Sequence, residues 1–289
     1  YKVGICQLVQ HEALDAATKG FKEALKEKLG DDVEFDEQNA AGEPNNCTTI
    51  VNQFVSGNVD LIFANATGAL QAAVSATDSI PIVGTSITDY ATALEISDWT
   101  GKTGINVTGT SDLAPLEDQA KMIKELLPNA KTVGILYCSG EANSKYQATE
   151  VAKYLKELGI ESKEFTSADS NDLAQVVTSA CAAVDAIYIP TDNTMASNTE
   201  IVNNIAEPAK IPIIAGEQGI CKGCGIATLS IDYYSIGKKA GEMAYDILVN
   251  GKDPAEMEIG FASSLTKKYM ESRCKELGIT VPSDYEAIQ

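Results

Sequence analysis

The chain has 289 residues, and its 41 acidic side chains outnumber its 22 basic ones to give a net charge of −19. Nucleic acids and anionic membrane surfaces would repel such a chain, so the charge argues against both as partners. The sequence contains no run of about 18 or more apolar residues, which is the length needed to span a bilayer. The chain is long enough for two lobes with separate cores. The chain opens on strand residues without a secretion signal, and we expect that a signal segment has been removed.

The strand sequences of the first half recur in the second half. The offsets between the repeated segments are 130, 125 and 131 residues. The segments are KVGIC from residue 2 and TVGIL from residue 132, VDLIF from 59 and VDAIY from 184, and IPIVG from 80 and IPIIAG from 211. Each half alternates strands and helices, which predicts an α/β fold of two Rossmann-like lobes, each a parallel sheet flanked by helices. Ligands of such sheets bind beyond the carboxyl ends of the strands, so we predict a ligand cleft between the lobes.

The predicted elements follow the chain in order. In the first half, strands are predicted near 2–8, 33–38, 59–64 and 80–84, with helices near 13–29, 46–57 and 68–77. In the second half, strands are predicted near 132–138, 160–165, 185–190 and 211–215, with helices near 114–127, 144–158, 171–183 and 196–207. The tail departs from the repeat, with a strand at 226–231 and helices at 236–249 and 267–277.

Such a tail could cross back between the lobes, which predicts a three-segment hinge. We place the crossings near 108–111, 230–233 and 257–260. The N-terminal lobe would then comprise residues 1–109 plus about 232–258, and the C-terminal lobe 110–231 plus about 259–289. Several short crossings favour closure about a hinge over free tumbling of the lobes.

Sequence signatures of enzymes are missing. The chain has no phosphate-binding loop, no glycine-rich dinucleotide motif after the first strand and no nucleophile elbow. His11 is the only histidine, so histidine-paired metal sites are excluded and a catalytic triad would have to include it. We therefore expect a binding protein rather than an enzyme, with no cofactor and no metal. Gln10 and His11 follow the first strand at the predicted edge of the cleft and are candidate ligand contacts, with an incidental loop position as the alternative for His11.

The segment after the third strand of the first half suits an anion. Thr67 and Gly68 open the predicted helix, and the small residues around them would let a ligand approach the backbone N–H groups of the first turn. A carboxylate is the expected ligand group. Simple capping of the helix by the Thr67 hydroxyl is the alternative.

The corresponding segment of the second half suits a cation. Asp192 and Asn193 follow the strand, and a carboxylate among amide and hydroxyl groups can hold an ammonium through a charge-assisted hydrogen bond. The alternative is an Asx turn or an N-cap for the next helix. Opposed anion and cation sites predict a zwitterion, and therefore an amino acid.

Three further loops would face the same way and could supply donors and acceptors. Each is also explained by ordinary turn chemistry. Their candidate residues are Asp89, Asn143, Ser144 and Glu217.

Cys221 and Cys224 form the only close pair among the seven cysteines. No other cysteine or histidine stands near enough in sequence to complete a zinc site. The glycines around the pair predict a loop, and we interpret the pair as a local disulfide or two idle thiols, with a metal or redox site as the alternative.

Motifs along nearly the whole chain point to one family. They are HEALD from residue 11 with Gly20-Phe21, ANAT from 64 through Gln71, Thr88-Asp89, NVTGTSD from 106, Asn143-Ser144 with Gln147, PTDN from 190, and IDYY from 231 with Gly237. In this order they resemble the substrate-binding components of ABC importers in the tryptophan/tyrosine-binding family. The resemblance implies a type I periplasmic-binding-protein fold and an aromatic amino acid (tryptophan, tyrosine or phenylalanine) held between closing lobes. It also implies delivery to an ABC permease and an extracytoplasmic location, with a lipid anchor on a removed N-terminal cysteine.

We therefore predict the binding component of an importer, acting as a monomer. Thr67 and Gly68 would take the ligand carboxylate and Asp192 its ammonium, with polar contacts from Asn143, Ser144 and Asn193. The candidates for an aromatic wall are Tyr90, Tyr137 and Tyr146. The alternative is a ligand-sensing module like the effector domain of lactose-repressor-type regulators, which the acidic charge and the lack of preceding DNA-binding helices disfavour. A Rossmann-like enzyme ranks third.

Overall fold

The computed structural model describes residues 1–289, which divide into two compact units. The first lobe comprises Tyr1–Leu113 and Asp232–Ser263, and the second lobe comprises Ala114–Ile231 and Ser264–Gln289. The chain therefore passes from one lobe to the other three times. The second passage lies within the predicted range 230–233, whereas the first and third follow residues 113 and 263, a few residues beyond the predicted ranges.

Residues 1–113 form a parallel sheet of five strands with helices between them. The strands are β1 (Lys2–Gln7), β2 (Glu34–Asn39), β3 (Leu61–Asn65), β4 (Ile82–Ile87) and β5 (Val107–Ser111), and the helices are α1 (Glu12–Leu29), α2 (Pro44–Ser56), α3 (Thr67–Ala76) and α4 (Tyr90–Ala93). The order across the sheet is β2-β1-β3-β4-β5.

Residues 114–231 repeat this arrangement. The strands are β6 (Thr132–Cys138), β7 (Glu161–Ser167), β8 (Ala186–Ile189), β9 (Ile213–Ala215) and β10 (Ala227–Ser230). The helices are α5 (Leu116–Leu126), α6 (Ala142–Glu157), α7 (Leu173–Ala183), α8 (Asn193–Ser197), α9 (Thr199–Ala209) and α10 (Gln218–Cys224). The order β7-β6-β8-β9-β10 matches that of the first lobe strand for strand. The predicted repeat and its α/β class are thereby confirmed.

The tail adds one helix to the first lobe and two strands and a helix to the second. Its elements are α11 (Tyr233–Leu248), β11 (Thr266–Tyr269), α12 (Glu271–Glu276) and β12 (Glu286–Ala287). The predicted helix over 267–277 is wrong in its first part, because residues 266–269 pair antiparallel with β10. The edge of β10 offers hydrogen bonds to the backbone that local sequence does not reveal. No helix of the chain is long and apolar enough to cross a bilayer.

The loop predicted around Cys221 and Cys224 is also wrong, since both residues lie in α10. Charged side chains satisfy the two ends of this short, glycine-containing helix. Glu217 is its N-cap, and Arg273, the only arginine in the chain, donates to four carbonyl groups at its other end. These are the carbonyls of Cys221, Lys222, Gly223 and Gly225, at 3.2, 3.0, 2.8 and 3.2 Å. Both charges complement the helix dipole, and the contact from Arg273, which is distant in sequence, stabilises a helix that its own residues do not favour.

In the first lobe, helices cover both faces of the sheet. One face packs against α2 and α3, and the opposite face packs against α1 and α11. Helices α1 and α11 approach until their backbones touch, because a Cβ atom at Gly237 would collide with the carbonyl oxygen of Ala17. A Cβ atom at Gly20 would likewise collide with the carbonyl oxygen of Tyr234. This contact holds the returning tail on the first lobe.

We expect Gly237→Ala to destabilise the first lobe. In an open helix the change would stabilise by about 1 kcal/mol, but here the added methyl group meets backbone that cannot move aside, and overpacking of this kind costs about 1–3 kcal/mol. Glu242→Ala changes an exposed position on the same helix and is the matched control. Urea denaturation should show a lower midpoint for Gly237→Ala only, and equal midpoints for the two variants would contradict the close contact.

Candidate ligand-binding site

A polar cluster lies at the carboxyl ends of β1 and β3. Nε2 of Gln7 donates to Oδ1 of Asp15 at 2.7 Å, and its Oε1 accepts from Oγ1 of Thr18 at 2.7 Å. Nδ2 of Asn65 donates to the same Thr18 oxygen at 2.9 Å and to the Leu14 carbonyl at 2.8 Å. The cluster ties two central strands to the first turns of α1. Sequence reasoning did not select Gln7 or Asn65, although a polar residue closing an apolar strand was a usable signal.

Gln10 and His11 lie in the short loop between β1 and α1, at the carboxyl end of the sheet. Gln10 is exposed, and His11 is partly exposed at the N-cap position of α1, where its side chain makes no capping bond. The structure therefore places both residues after the first strand, as predicted, and their contact with a ligand stays a prediction.

Helix α3 begins without a side-chain cap. Its N-cap residue is Ala66, with a left-handed φ of 90°, so the predicted alternative of Thr67 as the cap is wrong. Thr67 is the first helical residue and is buried, while Gly68 is partly exposed. A left-handed alanine is uncommon, and it turns the chain from strand to helix within one residue. The first N–H groups of this ten-residue helix have no side-chain partner and are suited to an anion.

Two buried polar atoms at the ends of β3 and β4 also have no hydrogen-bond partner. They are Oδ1 of Asn65 and Oγ of Ser86. Ser86 has a φ of 56° and lies where the pairing of β4 with β5 shifts register. It follows Thr85, whose carbonyl accepts the N–H of Ala66 at 3.1 Å, so Ser86 lies beside the start of α3. Buried hydroxyl groups without a partner cost free energy, and a ligand acceptor would relieve that cost.

Asp89 and Tyr90 follow β4. Oδ2 of Asp89 accepts the N–H of Thr92 at 2.7 Å and thereby caps α4. Tyr90 is buried in the core of the first lobe, where its hydroxyl donates to the Thr110 carbonyl at 3.2 Å. Burial raises the pKa of Tyr90 well above its usual range. We therefore assign Tyr90 to the core rather than to an aromatic wall.

Asp112, a buried carboxyl group of the first lobe, follows β5. Its Oδ1 accepts from Oγ1 of Thr88 at 3.1 Å and its Oδ2 accepts from the hydroxyl of Tyr233 at 2.7 Å. Burial raises the pKa of Asp112, and the hydrogen bonds from Tyr233 and Thr88 and the nearby His11 partly oppose that rise. The carboxylate thus joins the ends of β4 and β5 to the start of α11.

In the second lobe, Asp192 is buried and is the N-cap of α8. Oδ1 accepts the N–H of Met195 at 2.8 Å, and Oδ2 accepts the N–H of Cys138 and the hydroxyl of Ser144, both at 2.7 Å. Burial and then the charge of Glu141 raise the pKa of Asp192 to about 8, against the opposing effect of these three donors. The capping role is present in the structure, and contact with an ammonium stays a prediction.

Glu141 is a functional candidate that sequence reasoning missed. Its Oε2 accepts from the backbone and side-chain nitrogens of Asn193 at 3.0 and 2.8 Å. Its Oε1 accepts from the N–H and hydroxyl of Thr194 at 2.8 and 2.9 Å. The side chain precedes α6 in sequence but reaches the start of α8. Two carboxylates, Glu141 and Asp192, therefore meet at one strand end.

The first turns of α6 hold the loop that carries Asp192. Nδ2 of Asn143 donates to the Thr191 carbonyl at 3.1 Å, and Gln147 donates to the same carbonyl at 3.2 Å while accepting the Thr191 N–H at 3.1 Å. Together with the Ser144 contact, these bonds bring the predicted residues Asn143, Ser144, Asp192 and Asn193 into one network.

The remaining predicted residues of the second lobe are Glu217, Tyr137 and Tyr146. Glu217 is buried and accepts the N–H of Gly219 at 2.6 Å as the N-cap of α10. The hydroxyl of Tyr137 donates to Glu164 at 2.7 Å, and burial together with this carboxylate raises the pKa of Tyr137 to about 12. Tyr146 is partly exposed on α6.

Comparison with known proteins places these features in a family. The model of the ABC transporter substrate binding protein family matches residues 2–287. A tyrosine-binding protein of Clostridioides difficile (strain R20291) is 38% identical over 260 residues, which cover 89% of this chain and 75% of that protein.

The matches to two solved structures cover 100% of this chain and 99% of the chain in each of those structures. An ABC domain from Streptococcus pneumonia in complex with L-Trp is 34% identical, with a TM-score of 0.95. The ligand-free, open structure of a substrate binding protein with adhesive properties from Clostridium difficile is 36% identical, with a TM-score of 0.75. The chain belongs to the family of ABC transporter substrate binding proteins.

Proposed function

We propose that the chain is the extracytoplasmic binding component of an ABC importer and that its ligand is an aromatic L-amino acid: tryptophan, tyrosine or phenylalanine. One similar protein is named for tyrosine and another holds L-Trp, which supports this ligand class. The observation that carries the proposal is the start of α3, which has no side-chain cap and adjoins the unpaired hydroxyl of Ser86. An ABC permease would be the partner, and a lipid anchor would hold the protein at the membrane.

The ligand carboxylate would bind at the start of α3. Helix N-termini attract anions through unpaired N–H groups and the helix dipole. Thr67 and Gly68 would supply those groups, and Ser86 would add a hydroxyl that is already buried. Because no protein group competes for these donors as a side-chain cap, a carboxylate would gain them without displacing one.

The ligand ammonium would bind the carboxylates of the second lobe. A carboxylate offers about four acceptor positions, and donors from the protein occupy three on Asp192. Glu141 lies close enough to raise the pKa of Asp192, and a bound cation would allow both carboxyl groups to ionise. Asn143, Ser144 and Asn193 would orient the two carboxylates. Tyr146, the most exposed of the three predicted tyrosines, would contact the ligand ring.

Ligand class can be tested by thermal stability. A ligand present at about a hundredfold its Kd should stabilise the folded chain by roughly 2.7 kcal/mol. In a panel of amino acids, sugars and nucleotides, we expect a raised melting temperature with aromatic L-amino acids. Stabilisation by sugars or nucleotides alone would contradict the proposed class.

Ser86→Ala should weaken binding without lowering the stability of the unliganded protein. The substitution removes a hydroxyl that has no partner in the chain, and alanine tolerates the backbone about as well as serine. A hydrogen bond to a charged group is worth about 1.5–3 kcal/mol, so the Kd should rise roughly ten- to hundredfold. Calorimetric titration measures the affinity.

The matched control for this test is Ser167→Ala. Its hydroxyl is also buried and unpaired, but it lies at the end of β7 in the second lobe. Its loss should leave affinity unchanged. Equal affinities for both variants and the wild type would remove Ser86 from the carboxylate site.

Binding should release a proton if Asp192 holds the ammonium. The pKa of Asp192 is raised to about 8 in the unliganded chain, and an adjacent cation lowers it again. Below pH 8 the ligand must therefore expel a proton, and affinity should rise with pH by up to about tenfold per unit. Titrations at pH 6.5 in buffers of different ionisation enthalpy count the released protons.

Asp192→Asn is the control for proton release, because it removes the titrating group. It should abolish the proton release that the wild type shows. It should also lower stability by about 1–3 kcal/mol, since an amide cannot accept all three bonds. Wild-type binding without proton release would contradict an ammonium at Asp192.

A further inference from the structure

Two buried cysteines, Cys6 and Cys47, meet inside the first lobe. Cys6 lies in β1 and Cys47 in the first turns of α2, and neither side chain is exposed. Both belong to the same hydrophobic cluster, and the interaction between their thiols raises the pKa of Cys6 and lowers that of Cys47. Nothing in the proposed amino-acid site uses this pair.

The contact is fixed by how α2 packs on β1. Gly4 and Cys6 are two residues apart on a strand and therefore point to the same face of the sheet. Cys47 and Phe54 are seven residues apart on a helix and therefore share one side of it. A Cβ atom at Gly4 would lie 2.6 Å from the ring of Phe54, so the glycine lets α2 approach β1 closely. The same approach brings Cys47 onto Cys6.

We propose that Cys6 and Cys47 form a disulfide that joins β1 to α2 when the protein meets a small-molecule disulfide such as glutathione disulfide. Substrate-binding proteins of ABC transporters are extracytoplasmic, and disulfides form and persist in oxidising compartments outside the cytosol. The packing of α2 on β1 already brings the two side chains into one core cluster, so the bond would join elements that pack against each other.

The exchange begins at Cys47. Interaction with the Cys6 thiol lowers the pKa of the Cys47 thiol, and residues 41–46 immediately before it are exposed. Its thiolate attacks one sulfur of the small disulfide and releases one thiolate. Cys6 then loses its proton and attacks the Cys47 sulfur, which releases the second. The two protein sulfurs are oxidised by two electrons, and the small disulfide is reduced to two thiols.

The other close pair is less suited to this chemistry. Burial raises the pKa of Cys221 well above its usual range and that of Cys224 to about 12, which suppresses their thiolates. Sγ of Cys224 already donates to the Ile220 carbonyl at 3.4 Å. Replacing this pair therefore provides a matched control.

The test uses the whole chain incubated with excess glutathione disulfide, both folded and during refolding from urea. The protein is then denatured in the presence of N-ethylmaleimide, and its intact mass gives the number of free thiols that were alkylated. We expect five alkylated cysteines instead of the seven of the reduced chain (7 − 2 = 5), and a peptide linking Cys6 to Cys47. A phosphine reductant should restore seven and lower the melting temperature by several degrees, because the bond closes a loop of about 40 residues.

Two variants decide which cysteines react. The Cys221→Ala/Cys224→Ala protein should still lose two thiols on oxidation, whereas Cys47→Ala should keep all its thiols and show no change in melting temperature on reduction. Seven alkylated cysteines after oxidation, or a linked peptide that lacks Cys6 and Cys47, would overturn the proposal. Neither result depends on ligand binding, so the amino-acid proposal stands or falls separately.

Discussion

The carboxyl group of Asp192 is buried, and its oxygens must find hydrogen-bond partners within its own lobe. The donors that satisfy it come from the end of β6, the first turn of α6 and the first turn of α8. A buried polar group without partners costs more free energy than a broken surface contact, so these three elements are held in one arrangement whether or not a ligand is present. Glu141 adds a second carboxylate to the same strand end. The second lobe therefore holds two carboxyl groups in a preorganised arrangement.

The first lobe differs, because it leaves hydrogen-bond donors at the start of α3 without side-chain partners. At the start of α3 the donors are backbone N–H groups, and no side chain caps them. The residues that shape this end, Ala66 and Ser86, both adopt left-handed backbone conformations. Such conformations cost about 1–3 kcal/mol each and persist only when the surrounding structure imposes them, here through the pairing of β3 with β4. Strain and unpaired donors at one point are the features expected of a site that a ligand anion completes.

Local sequence predicted the alternating strands and helices, because apolar periodicity and helix stop signals act within a few residues. It also placed Thr67, Asp89, Asn143 and Asp192 at strand ends, since the carboxyl ends of parallel strands meet at one edge. The failures share a different cause. Strand β11 exists because β10 offers an open edge, and α10 is helical because Arg273 satisfies its carbonyl groups. Neither partner is near in sequence, and the φ of Ser86 leaves no trace in its neighbours.

Helices pack on both faces of strand β1, and glycine residues allow close packing on each side. On one face Gly4 admits the ring of Phe54, and on the other α1 packs against the sheet while Gly20 and Gly237 bring α11 against α1. The loop that carries Gln10 and His11 therefore starts from a strand with little freedom to shift. A bond between Cys6 and Cys47 would strengthen only the face of β1 that packs against α2, and not the opposite face, where α1 and α11 pack. The bond would therefore act on the face of β1 where α2 alone makes the glycine-dependent contact. The position of the β1 loop would then depend less on the stability of α2.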